Sequence, residues 1–167
     1  MFEEEGRKKI RLTPEQAAIR IRNYCAYQER CHQETRDKLY DYGLHQQDVE
    51  QIISQLINEN YLNEERFAEA FVSGKFRIKK WGKNKILLGL KSKKISEYCT
   101  KKAIQQIDGE EYEKTLLELS RKRWKSVKGE QIYIRQKKVV AWLMSRGYES
   151  DLCWYAVKLI TEQERPA

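Results

Sequence analysis

The chain has 167 residues, with 33 Lys plus Arg against 25 Asp plus Glu and a formal net charge of +8, a balance that favours polyanions or an acidic protein surface as partner. Its apolar runs, such as Ile86 to Leu90, fall far short of the roughly 20 residues of a membrane helix and exclude one. Cys25, Cys31, Cys99 and Cys153 show no C-x-x-C spacing and no apolar signal segment opens the sequence, so a reduced cytoplasmic protein without disulfides is expected.

Residues 1–12 mix Glu3-Glu4-Glu5 with Arg7-Lys8-Lys9, too polar to pack, and a flexible N-terminal tail is expected there. Thr13-Pro14-Glu15-Gln16 supplies a cap hydroxyl, a proline for the first helical position and a glutamine for a capping box, which predicts a helix over 14–29. Helices over 32–43 and 46–58 follow, with Gly43 ending the second in the left-handed conformation. Asn63 can cap a fourth helix running to about Lys79, because Phe67, Ala68, Phe71 and Val72 share one face. Trp81-Gly82 breaks it. Helices over 83–93 and 97–107 come next, Asp108-Gly109-Glu110-Glu111 opens a long one over 109–127, and two more are expected over 131–146 and 150–164. Pro14 and Pro166 are the only prolines and nothing alternates like a strand, so the fold expected is all-α, with about nine helices.

One pattern occurs three times: Leu39-x-x-x-Gly43-Leu44, Leu90-x-x-x-Lys94-Ile95 and Leu143-x-x-x-Gly147-Tyr148. A small or β-branched pair follows each copy, at Ile52-Ile53, Ala103-Ile104 and Ala156-Val157. A unit of this length cannot bury its apolar face alone, so the pattern implies an elongated array of three tandem three-helix repeats. The divisions expected are 13–62, 63–107 and 108–167, with function on a surface rather than in a pocket.

The positive charge is unevenly placed. Residues 1–63 carry 9 basic and 11 acidic residues, whereas Lys75 to Lys102 holds 11 basic residues against Glu97 alone. Arg121 to Lys138 adds eight against Glu130. An exposed lysine is ordinarily just a solvated side chain, so placement must decide. Lys79, Lys80, Lys83 and Lys85 bracket Trp81-Gly82 in what reads as a connection, where side chains can converge. Helical phase turns Lys122 and Lys125 away from a stripe of Tyr112, Leu116, Leu119 and Val127. It likewise turns Lys137 and Lys138 away from Ile132, Val139, Val140 and Leu143. Arg123 falls inside its stripe and needs a partner. Trp81 could stack on a base but suits a plug between helices better, and Trp124, Trp142 and Trp154 read as packing residues.

No catalytic set emerges. Glu64-Glu65 and Glu110-Glu111 sit at helix starts, where acidic groups complement the dipole, and neither G-x-G-x-x-G nor G-x-x-x-x-G-K-[ST] occurs. His32 and His45 lack zinc spacing. The reading is a non-enzymatic protein with no metal and no cofactor.

Asn60-Tyr61-Leu62-Asn63-Glu64-Glu65-Arg66-Phe67-Ala68, then Phe71-Val72 and Gly82-x-x-Lys85-Ile86-x-x-x-Leu90, together with Glu34-x-x-x-Lys38-Leu39-x-x-x-Gly43, resemble the signature of the RecX family over nearly all the chain after Thr13. The chain departs at Asn60 and Lys94, where the family pattern usually has glycine, and at Thr35, where leucine is common. The resemblance implies a cytoplasmic, monomeric regulatory protein that binds the RecA filament on single-stranded DNA. It also implies negative modulation of recombinase and co-protease (SOS) activity, and hence a part in homologous recombination and DNA repair. The binding surface expected comprises Lys79, Lys80, Lys83, Lys85, Arg121, Lys122, Lys125, Lys137 and Lys138, reaching RecA, DNA directly, or both. The alternative is a direct, sequence-independent single-stranded nucleic-acid-binding protein, and a scaffold for an unrelated acidic protein is a third reading. Phe67 sits where a buried staple is expected, so Phe67→Ala should cost roughly 3–5 kcal/mol, and an unchanged melting temperature would refute that.

Overall fold

The computed structural model describes residues 10–129 and 131–165. Among them are nine helices and no strand: α1 Pro14–Tyr27, α2 His32–Asp41, α3 Gln46–Asn58, α4 Glu64–Arg77, α5 Lys83–Ser92, α6 Glu97–Ile104, α7 Gly109–Ser126, α8 Ile132–Ser145 and α9 Ser150–Gln163. The fold is an all-α tandem three-helix repeat, as expected, and each helix lies within a few residues of its expected bounds. No helix among the described residues is long and apolar enough to cross a membrane. The chain divides into two compact units, 1–67 and 68–167, the division falling inside α4.

The capping chemistry appears where the sequence placed it. Thr13 Oγ1 accepts from the Gln16 N–H at 3.2 Å while the Thr13 N–H donates to Gln16 Oε1 at 3.1 Å. Asn63 Oδ1 accepts from the Arg66 N–H at 2.8 Å, and Asp108 Oδ1 from the Glu111 N–H at 2.9 Å. In the first unit Ile21, Cys25, Leu39, Val49, Ile53, Leu56 and Leu62 form one core. Leu12, assigned by sequence to the tail, instead packs against this core, and its N–H donates to the Tyr42 carbonyl at 2.9 Å. Residues 1–9 of the expected tail lie outside the described residues. Thr35 is fully buried and donates to the Cys31 carbonyl at 3.0 Å, which satisfies its hydroxyl where the family pattern has leucine.

The thrice-repeated pattern is a helix stop. Gly43, Lys94 and Gly147 have φ of +83°, +57° and +101°. The Lys94 N–H donates to Lys91 O at 3.0 Å and the Ile95 N–H to Leu90 O at 3.2 Å, and Gly147 and Tyr148 repeat the pair onto Met144 and Leu143. The second and third copies are Schellman turns. In the first, the Gly43 N–H donates to Tyr40 O at 2.9 Å, and Leu44 and Tyr148 after the first and third stops are buried while Ile95 is only partly so. Asn60, at φ +63°, ends α3 the same way. Two departures from the family's glycines, Asn60 and Lys94, thus occupy left-handed positions, where a side chain is strained.

In the second unit α7 packs on both α8 and α9, α8 on α9, and α5 on α6. Its buried side chains include Val72, Phe76, Ile86, Leu90, Tyr112, Leu116, Trp124, Val139, Leu143, Tyr148, Val157 and Ile160. Two differences from the sequence reading stand out. Ile132 is exposed, because the buried face of α8 begins only at Val139. The inner face of α7 runs through Tyr112, Thr115, Leu116, Ser120 and Trp124, with Leu119 and Val127 at its margin. Thr115 and Ser120 escape hydrophobic periodicity because a helical hydroxyl can be satisfied by its own backbone, as Ser120 Oγ is by Leu116 O at 2.7 Å.

The α4–α5 corner and the α8–α9 turn meet backbone to backbone. The Gly82 N–H donates to Arg146 O and the Asn84 N–H to Gly147 O, both at 2.9 Å. A β-carbon on Gly147 would lie 2.6 Å from the Lys85 nitrogen and 2.9 Å from Gly82 O, and one on Gly82 would overlap Gly147 and Tyr148. Gly147→Ala should therefore lower stability by about 2–4 kcal/mol through overlap and φ strain. Lys94→Gly should raise it by about 1 kcal/mol, and Gly74→Ala, with open space around it, by about 0.5–1 kcal/mol. Urea titrations of the three variants check this, and equal effects at Gly147 and Gly74 would contradict it.

Candidate polyanion-binding surface

Two different fates await the cations of this chain. In the first unit Arg22 pairs with Glu59 at 2.8 Å, Arg36 with Glu50 at 2.6 Å, and Arg66 with Glu29. These pairs hold Glu50 and Glu59 below the usual carboxylate range through direct hydrogen bonds from the arginines. In the second unit Arg77 reaches Glu111 at 3.8 Å, but none of the nine cations expected at the site pairs with a described carboxylate within 4.0 Å. Several lie over aromatic rings instead, where a positive charge meets the negative face of the π system.

Lys79 and Lys80 are exposed in the short α4–α5 connection, Lys80 at φ +58°. Their carbonyls are held from the third repeat: Arg146 Nη2 donates to Lys79 O, and the Tyr148 hydroxyl to Lys80 O at 2.8 Å. Lys83 and Lys85 are not in the connection, as the sequence suggested, but in the first turn of α5. The Lys83 N–H donates to the Tyr112 hydroxyl at 3.0 Å, which in turn donates to Glu149 at 3.0 Å. Lys83 Nζ lies 4.8 Å from the Tyr112 ring centre and Lys85 Nζ 4.4 Å from that of Trp81. The four lysines are thus gathered at one corner and oriented by groups of α7 and of the α8–α9 turn.

The remaining five are not gathered there as one group. Arg121 reaches Gln163 of α9 at 3.4 Å, while Arg123 of the same helix faces α8, so these two flank opposite sides of α7. Lys122 and Lys125 are exposed on its outer face, and Lys138 is exposed on α8. Lys137 Nζ lies 5.2 Å from the ring centre of Tyr133, which stacks on Trp154. Arg135 is committed to structure: it donates to Val127 O and Trp124 O, both at 3.0 Å, and covers the Trp124 ring.

Sequence reasoning missed Lys75, whose Nζ lies 4.7 Å from the Trp81 centre, and Arg146, 5.9 Å from that of Trp142. Lys75 and Trp81 are six residues apart around a helix end, a spacing without a helical rule. Arg146 had a signal, its place just before the Gly147 stop. Arg123 finds its partner in Trp142, at 5.1 Å. Trp81 does plug a gap, one edge beside Gly89 and Phe71, while staying partly exposed.

Fold and surface together define a class: a tandem three-helix repeat protein in which Lys79, Lys80, Lys83 and Lys85 gather at one corner and pair with no described carboxylate. Models of the second and third three-helix domains of RecX match residues 63–104 and 110–157. A regulatory protein RecX of Clostridium perfringens is 32% identical over 133 residues, covering 78% of this chain and 62% of its own length. One of Prosthecochloris aestuarii is 27% identical over 135 residues, covering 81% and 87%. The crystal structure of RecX from Lactobacillus salivarius shares the fold, with a TM-score of 0.80 at 21% identity, covering 89% of this chain and 97% of that one. The chain belongs to the RecX family. It spans about three-fifths of the length of the Clostridium perfringens relative.

Burial pushes the Tyr112 and Tyr148 phenols well above their ordinary value of 10.0, and Glu149 beside both adds to it. Folded protein therefore keeps two protons that the unfolded chain loses above pH 10, so the stability they confer is complete below that pH and lost as pH rises. Unfolding free energy should fall by up to about 1.4 kcal/mol per pH unit per phenol, and Tyr148→Phe should remove one phenol's share. Urea titrations between pH 9 and 11, which bracket the ordinary phenol value, read this slope, and an unchanged slope in the variant would contradict it.

Proposed function

We propose that this protein binds the RecA filament on single-stranded DNA and lowers its recombinase and co-protease (SOS) activity in the cytoplasm, without catalysing a reaction of its own. The observation that carries this reading is the coincidence of RecX membership with nine cations of the second unit, Lys79 to Lys138, that pair with no described carboxylate, while Arg22, Arg36 and Arg66 of the first unit are paired. An unpaired cation keeps its full attraction for an external anion and suffers no competition from an internal one. Such a surface suits a filament that presents acidic protein and DNA phosphate together. A change in RecA's ATP hydrolysis would follow indirectly, because a ligand that prefers one filament state shifts the balance among states. The three repeats, divided at 13–62, 63–107 and 108–167, would act as a monomer.

Binding to single-stranded DNA, bare and coated with RecA and a non-hydrolysed ATP analogue, tests this at one physiological salt concentration. At least tenfold tighter binding to the coated strand is expected, and equal or weaker binding would favour the direct DNA binder. Charge reversal at Lys79, Lys80 and Lys83 should weaken filament binding at least tenfold while helical content stays native. Full affinity in that variant would remove the corner from the site.

A further inference from the structure

We propose that Trp81 and Trp142 are stacking platforms for the bases of a single-stranded nucleic acid, with Lys75, Lys85, Arg123 and Arg146 as the phosphate contacts beside them. The inference rests on the filament reading for where the strand comes from. Both indoles are partly exposed, and each has two cations close to its ring. Lys75 and Lys85 lie 4.7 and 4.4 Å from the Trp81 centre, and Arg123 and Arg146 lie 5.1 and 5.9 Å from that of Trp142. Nε of Arg123 and Nε of Arg146 are both buried with no acceptor, and none of the four cations pairs with a described carboxylate. The two assemblies adjoin: Arg146 donates to Lys79 O and accepts from the Gly82 N–H, and Gly147 abuts Lys85.

A cation over a partly exposed ring is weakly held. A phosphodiester offers it charge-assisted hydrogen bonds, and for arginine a matching fork. As the cations move from ring to phosphate, the indole faces open to bases. Combining a cationic track with aromatic stacking is how strands are held without sequence preference. A purely carboxylate polymer such as polyglutamate would use the cations but carries no ring to lay on the indoles. The other two tryptophans are already complete, Trp124 being buried beneath the fixed Arg135 and Trp154 stacked on Tyr133.

The test titrates the full chain with oligo-dT, an abasic strand of equal length, and polyglutamate, following anisotropy and tryptophan emission. Oligo-dT should bind at least about fivefold tighter than the abasic strand and quench emission, with polyglutamate weakest. Because Trp81 also plugs its corner, the discriminating variant is Trp142→Leu, which should reduce the preference for oligo-dT at least about fivefold while Trp154→Leu leaves it unchanged. Arg123→Gln should flatten the salt dependence on both strands by about 0.7 in log–log slope. Equal affinity for oligo-dT and the abasic strand, a Trp142→Leu preference like that of the unaltered chain, or polyglutamate binding as tightly as DNA would each overturn the proposal. RecA is absent from this titration, so these failures leave the filament reading standing, whereas failure of the coated-strand comparison leaves the stacking result intact.

Discussion

The second unit depends on a contact with no side chains in it. Gly82 and Gly147 bring the start of α5 and the turn between α8 and α9 to van der Waals separation, and the N–H groups of Gly82 and Asn84 are satisfied by carbonyls of Arg146 and Gly147. The first turn of a helix has N–H groups without intrahelical partners. Here a foreign turn supplies the acceptors and the Tyr112 hydroxyl a further one, so the N-cap residue of α5, Gly82, needs no capping side chain of its own. That contact aligns the lysines of the corner with Arg146, and through Trp142 with Arg123.

The charge distribution follows from the same geometry. A corner fixed by backbone contacts leaves its lysine side chains out of the structural work, so they are available to a partner. The first unit uses its arginines differently, tying Arg22 and Arg36 to carboxylates distant in sequence. Arg135 shows that position in sequence does not separate the two uses, since it lies within the basic stretch yet spends its guanidinium on the last carbonyls of α7. Electrostatic character thus belongs to the repeats unequally, although all three are built around the same helix stop.

Much of the helical framework was legible because its signals are local. Thr13, Asn63 and Asp108 cap neighbours three residues on, and the leucine-to-stop spacing reports a Schellman turn that involves one chain segment. Lys94 and Asn60 show the limit of that legibility, since the left-handed turn persists without glycine when the surrounding hydrogen bonds demand it. The exposure of Ile132 was missed because periodicity gives a phase but not where a neighbouring helix begins to cover it. Of the candidate surface, the corner lysines were visible as a charge cluster. Lys75 and Arg146 were not, because their placement arises from contacts between elements far apart in sequence. The pairing of Arg123 with an indole was foreseeable only as a need for a partner.

Amide hydrogen exchange at the backbone interlock tests this account most directly. Gly82 and Asn84 should open with the same free energy as Tyr148, whose amide closes the α8 stop, since the two segments are one cooperative element. Exchange of Gly82 and Asn84 at loop-like rates while Tyr148 stays protected would contradict it.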